Sequence, residues 1–177
     1  KSTLAMFFLI WEICRDPDAT NLYSSYTKDV VDIFYNGILE VFQDPDTYDL
    51  LTIFPKATVV ATNAAIGSIN VGRKTRYPSV MLRAINQALN GLADASGLIL
   101  IDDIHSGIDE ARNPELLLKT WSTIANNLLA RRKNGTKHIW IGTRWSIYDA
   151  ISKRIEMIET ESAYKGWRYK VVNVPAL

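Results

Sequence analysis

The chain's reactive side chains gather at the ends of its most apolar runs. Asp102 and Asp103 close the run Gly97-Leu98-Ile99-Leu100-Ile101, Lys1-Ser2-Thr3 opens the run that continues to Trp11, and Thr143-Arg144 follows His138-Ile139-Trp140-Ile141-Gly142. A lysine followed by a hydroxyl at a helix start is how a phosphate-binding turn ends. Backbone N–H groups hold the phosphates, the lysine reaches the outer ones and the hydroxyl binds Mg²⁺. The glycines of such a turn are not in the chain, and the same dipeptide type recurs at Lys74-Thr75 and Lys119-Thr120. The weight therefore rests on context: Lys1-Ser2 opens an apolar helix, and an apolar strand ending in acids lies downstream. In that setting Asp102 would hold Mg²⁺ through water, since magnesium takes few carboxylates. Asp103 would orient and polarise the attacking water, and Thr143 would hydrogen-bond that water or a γ-phosphate oxygen. Plainer readings stand beside these. Two aspartates also end core strands and solvate turns, and a threonine at a strand end also satisfies backbone groups.

The elements that would position these groups follow from periodicity. Gly97 to Asp103 is too short for a membrane span and too uniformly apolar for a surface strand. It reads as a strand buried on both faces of a parallel sheet, where ligands gather at the carboxyl ends of the strands. Thr3 to about Arg15 is apolar nearly all round, as in a helix buried against a sheet, and Asp16-Pro17-Asp18 stops it. Asn21 to Tyr26 reads as a short strand, and Thr27 caps a helix to about Gln43 whose Val31, Phe34, Ile38 and Val41 recur at helical spacing. Tyr48 to Phe54 reads as one or two helical turns. Ile66 to Gly72 and Ser79 to Ile85 read as strands around the basic turn Arg73-Lys74-Thr75-Arg76, with a turn at Asn90-Gly91 beyond. Asn113-Pro114-Glu115 is a strong helix start, and Arg131-Arg132-Lys133-Asn134-Gly135 is a matching end. His138 to Arg144 reads as a second buried strand, Ser146 to about Glu159 as a helix, and Trp167 to Val174 as a last strand. Strands and helices alternate, so the expected class is α/β with a mainly parallel sheet flanked by helices, and a right-handed crossover from the Asp102 strand to the Thr143 strand.

Composition bounds the rest. The chain has 177 residues, 47% hydrophobic and 22% charged, with a formal net charge of +1. That is ordinary globular composition for one domain, and its balanced charge leaves any nucleic-acid contact to local patches. The lone cysteine, Cys14, excludes an internal disulfide and a cysteine metal cluster and reads as a small buried apolar residue. No run reaches the roughly 18–20 apolar residues of a membrane-spanning helix. The opening run lacks a cleavage pattern, so it reads as a buried helix in a chain whose beginning lies upstream.

Taken together, Lys1-Ser2-Thr3 at a helix start, Leu98 to Ile104, Ile141-Gly142-Thr143-Arg144-Trp145-Ser146 with Asp149 soon after, and the closing Val172 to Leu177 resemble the large subunit of tailed-bacteriophage terminases, the ATPase of a viral DNA-packaging motor. The Thr-Arg-Trp after an apolar strand is the most specific of these features. The resemblance implies a single P-loop ATPase domain of the ASCE, RecA-like class over residues 1–177, with its first strand and Gly-rich loop upstream of Lys1 and a nuclease domain beyond the end. It implies ATP and Mg²⁺ as cofactors: Lys1, Ser2 and Thr3 on the nucleotide, Ser2 and Asp102 on the metal, Asp103 and Thr143 in catalysis and coupling. The implied partners are double-stranded DNA, a portal protein, a small terminase subunit and further copies in a ring, with no membrane. The implied location is the cytoplasm of the infected host, transiently docked on the procapsid.

The chain departs from that family in two places. The acid after the first aspartate is often glutamate, and Asp103 is one methylene shorter. A glycine-arginine pair that serves as a trans-acting arginine finger is here Gly91-Leu92, so Arg83 is the expected substitute, with Arg73 and Arg76 behind it; a surface or structural role for Arg83 is the alternative. Rival readings are another P-loop nucleic-acid ATPase, such as a helicase core, and a non-catalytic interaction domain with a degenerate nucleotide site.

Overall fold

The computed structural model describes residues 1–173. Its first helix, α1 (Ser2–Arg15), leads to strand β1 (Asn21–Ser25) and helix α2 (Lys28–Gln43). Thr27 caps α2 by accepting from the Val30 N–H, and Val31, Phe34, Ile38 and Val41 face the core, as their spacing requires. A single turn, α3 (Leu50–Ile53), precedes β2 (Val59–Asn63), β3 (Ser68–Val71), β4 (Val80–Ala84) and β5 (Leu98–Asp102). Then come the short α4 (Ile108–Ala111), α5 (Pro114–Thr123), β6 (Lys137–Ile141) and α6 (Ala150–Thr160). The Asn113 side chain caps α5 on the N–H groups of Glu115 and Leu116, with Pro114 at the first turn. The continuous helix expected down to Arg131 instead changes pitch, with a π turn over Ile124–Leu128 and a 3₁₀ turn over Leu129–Arg131.

The six strands form one sheet in the order β2-β3-β4-β1-β5-β6. Four of them, β4, β1, β5 and β6, run parallel, and β3 is antiparallel to both β2 and β4. The α/β expectation with a mainly parallel sheet therefore holds, with an antiparallel flank added. β2 escaped the sequence reading because it is a half-exposed edge strand with a register shift between Val59 and Ala61, so no alternation marks it. The final strand expected over Trp167 to Val174 does not form across residues 167–173, and Val174 lies outside the described residues. Gly166 turns the chain at φ +90°, and Trp167 is held edge-on against His138 of β6 and Tyr164 instead of pairing in the sheet.

Each face of the sheet has its own core. Tyr23, Leu82, Leu98 and Leu100 pack against Leu9, Ile13, Phe34 and Ile38 of α1 and α2. Leu22, Met81, Ile99 and Ile101 pack against Ile124, Leu128 and Ala150 on the other face. Cys14 is buried, and burial pushes its thiol up to about 12, the inert behaviour of a packing residue. α1 is less enclosed than its composition implied: Leu4, Phe7 and Trp11 lie exposed on its outer side. It runs antiparallel to the strands beneath it. Glu12 receives two bonds from Lys137 Nζ at the start of β6, 2.8 and 2.9 Å, while Lys1 reaches Asp103 just beyond the end of β5. Helical rise gives about 16 Å between those two anchor points, close to the length of a five-residue strand.

Asn21 joins the central strands at their amino ends. Its amide donates to the Ser79 carbonyl at 2.9 Å and its carbonyl accepts from the Leu98 N–H at 2.9 Å, both buried. Asn21→Leu would leave the Leu98 N–H without its acceptor in the core, while the Ser79 carbonyl keeps the Asn21 backbone N–H at 3.0 Å. The expected cost is about 2–4 kcal/mol, read as a fall in the urea midpoint with an unchanged m-value.

Candidate functional site

Most of the expected residues, Arg83 excepted, lie around the carboxyl ends of β5 and β6. Lys1 Nζ lies 3.1 Å from Asp103 Oδ1, although the two are 102 positions apart in the chain. Both side chains are about half exposed, 50% and 47%, so the pair contributes little to stability and is free to exchange partners. Asp103 is also tied through its backbone, its N–H donating to the Ile141 carbonyl at 3.0 Å. A Cβ on Gly142 would stand 3.8 Å from Asp103 Oδ1, which places the exit of β6 directly beside that carboxylate.

Asp103 has φ +42°, the only non-glycine residue with positive φ among those described. Aspartate and asparagine are several-fold enriched in this left-handed region, because their short polar side chains tolerate it. A longer glutamate would sit there less easily. The local backbone thus accounts for an aspartate at this position, and strain held at a strand end is a mark of functional sites.

Asp102 is different in kind. It ends β5 in register with Ser25 on β1, on the face covered by α1, and is 2% exposed. Its Oδ1 is buried without a hydrogen-bond partner among the described residues. Burial pushes its carboxyl above the ordinary range and the Asp103 charge adds to this, while the Ser2 hydroxyl and the Lys1 charge oppose it. The hydroxyls of Tyr23 and Ser25 are buried on the same face. Ser2 is half-buried and Thr3 exposed at the first turn of α1, whose start has no side-chain cap and so leaves its N–H groups to other acceptors.

Thr143 is exposed, one residue past Gly142, in a loop rather than in the strand expected to reach Arg144. That loop is closed by Arg144, whose Nε donates to Asp149 Oδ2 at 3.1 Å and whose guanidinium also meets the Ser152 hydroxyl. Asp149 caps α6 on the Ser152 N–H at 2.9 Å, so the helix starts at Ala150 and not at Ser146.

Arg83 is not brought to this cluster. It registers with Ser24, which registers with Ile101, so its side chain leaves the opposite face of the sheet from Asp102. It is half-buried with its Nε enclosed. Any action on a phosphate would have to be on a neighbouring copy. The basic segments also separate. Arg131 bonds Asn90, Arg132 stacks over Tyr164 and Trp167, and Lys133 pairs with Asp94. Lys74 and Arg76 are exposed, and Arg73, also exposed, pairs with Asp18 at 2.6 Å.

Two further residues join the site that the sequence does not single out: the side chains of His105 and Glu110 are buried, with His105 Nδ1 2.9 Å from Glu110 Oε1. A lone histidine two residues after the acids, with a glutamate five further on, was the available signal.

Among the described residues no group of three or more His, Cys, Asp or Glu could hold a metal by itself. One buried carboxylate oxygen without a partner among the described residues and a nearby hydroxyl fit magnesium, which takes few protein ligands. In comparison with known proteins, no family model and no curated protein matches this chain.

Proposed function

We propose that the chain is the ATP-hydrolysing domain of a motor that packages double-stranded viral DNA, as its resemblance to terminase large subunits implies. The observation that carries the reading is the meeting of Lys1 with Asp103 at 3.1 Å beside the buried, unpartnered Asp102, across parallel strand ends. A lysine at a helix start and two acids of contrasting burial are the protein parts of a nucleotide-hydrolysing site.

Asp102 and Ser2 are the residues that would hold Mg²⁺, which when bound neutralises charge on the phosphates. Lys1 exchanges its bond to Asp103 for a phosphate oxygen. That frees the Asp103 carboxylate to orient a water molecule and accept its proton. Thr143, on the loop beside Asp103, hydrogen-bonds that water or the terminal phosphate and so registers its departure. Arg83 supplies charge only to a neighbouring copy in a ring.

Contacts to DNA run through phosphates, chiefly from Arg73, Lys74 and Arg76, the more exposed basic segment. Binding of that kind is independent of sequence and weakens steeply with salt. No described helix is long and apolar enough to cross a membrane. A portal protein, a small terminase subunit and the host cytoplasm complete the proposed setting.

The test is ATP turnover by the full-length protein with duplex DNA and with tailed DNA substrates. Hydrolysis stimulated by blunt duplex without strand separation supports the motor. Stimulation by single-stranded tails with unwinding would favour a helicase core, and no turnover with DNA and portal present would leave an interaction domain.

A further inference from the structure

We propose that His105 is the positioning residue that links the Asp102-Asp103 strand end to the Thr143 loop, an inference that rests on the ATP-hydrolysing reading of the site. The linkage follows from a fixed tautomer. Glu110 is 5% exposed and accepts from the Ser106 N–H at 2.8 Å, the Ser106 hydroxyl at 3.0 Å and the Thr120 hydroxyl at 2.6 Å. Burial alone would raise its carboxyl, but these bonds and the one from His105 hold it below the ordinary range. It is therefore an ionised acceptor, and His105 Nδ1 must carry the proton it shares at 2.9 Å. His105 Nε2 is left bare, and it accepts the Ala150 N–H at 3.1 Å.

That N–H belongs to the first residue of α6, one of the helix-start donors that no residue within the helix can satisfy. Asp149 takes the Ser152 N–H, so the two side chains share the end of the helix between them. The strand end and the Thr143 loop are thus joined at two points: Asp103 N–H to the Ile141 carbonyl at one end of the loop, and His105 to Ala150 at the other. Thr143 lies between them. A shift of Asp103 when Lys1 changes partner would be carried to both ends of the loop, while Glu110, anchored on α5 through Thr120, keeps the imidazole from rotating away.

The experiment compares wild type, His105→Phe and His105→Gln in the full-length protein, reading Ala150 amide exchange by NMR alongside DNA-stimulated ATP turnover. Glutamine can still donate to Glu110 and accept from Ala150; phenylalanine keeps the packing and loses both. The expected result in His105→Phe is about tenfold faster Ala150 exchange with neighbouring core amides unchanged. Turnover number should fall about tenfold with KM for ATP within about twofold, and His105→Gln should recover most of both effects. Unchanged Ala150 exchange in His105→Phe would overturn the proposal, as would a parallel loss in turnover number and KM. If His105→Phe does not fold, His105→Leu, which also loses both bonds, is read in its place: faster Ala150 exchange supports the linkage and unchanged exchange overturns it. A wild-type protein without ATP turnover would sink the motor reading separately, and the exchange data would still judge the linkage.

Discussion

Replacing Asp103 by asparagine is expected to lower ATP turnover by about 10²–10⁴-fold, the usual contribution of a general base, while leaving the melting temperature within a few degrees of wild type. The two halves of this expectation have separate causes. The carboxylate at Asp103 is half exposed and its ion pair with Lys1 is worth little, so neutralising it removes almost no folding energy. Asparagine also tolerates the left-handed backbone at φ +42° as well as aspartate does, so the strand end keeps its shape. What disappears is a proton acceptor beside the exit of β6. Parallel phosphate-release and melting experiments check both halves, and a variant that kept its turnover would remove Asp103 from catalysis.

Asp102→Asn is expected to do the reverse to stability and the same to activity. Burial raises the Asp102 carboxyl in the fold above its ordinary value of 3.8, so the folded chain holds that proton more tightly than the unfolded chain. The stability contributed by this group is then greatest below pH 3.8 and falls as pH rises toward the elevated value, staying low above it. At neutral pH a nearly isosteric amide removes a buried charge with an unpartnered oxygen, for an expected gain of about 1–3 kcal/mol without ligand. Magnesium and nucleotide should stabilise the wild type in thermal melts and leave the variant unmoved. A variant less stable than wild type at pH 7 without metal would mean that Asp102 is held by the protein itself. That would make it a structural carboxylate.

The part of this architecture legible in the sequence is the part where burial and local chemistry point the same way. Leu98 to Ile101 reads as a doubly buried strand and is one, and Thr27 and Asn113 mark helix starts by caps that form as read. Between Asp44 and Arg76 the helical turn and the strand over Ile66 to Gly72 form near where they are expected, but β2 leaves no sequence pattern because it lies at an edge, half exposed and out of step with its neighbour. Trp167 to Val171 has the composition of a strand, but it does not pair with the outer strand β6, and ring packing of Trp167 against His138 and Tyr164 decides its place. The end of a strand was harder to read than its existence: β6 stops at Ile141, and Thr143 and Arg144 fall in a loop whose shape depends on the long-range partners of Asp149 and Ser152.

The candidate site divided along similar lines. Lys1, Ser2, Asp102 and Asp103 were named from residue type and order, and the fold brings them together. Arg83 was placed by its position before the acid strand, and the alternation of side chains along β4 sends it to the other face. His105 stands close after the acids, but its role depends on a backbone N–H 45 positions away, which no local pattern announces.

The most direct test of the nucleotide site is calorimetric titration of the full-length protein with the slowly hydrolysed analogue ATPγS, with and without Mg²⁺, in wild type and in Lys1→Ala. One site per chain, strengthened by Mg²⁺ and lost in Lys1→Ala, is the predicted result. The absence of binding, or binding indifferent to both the metal and Lys1, would contradict it.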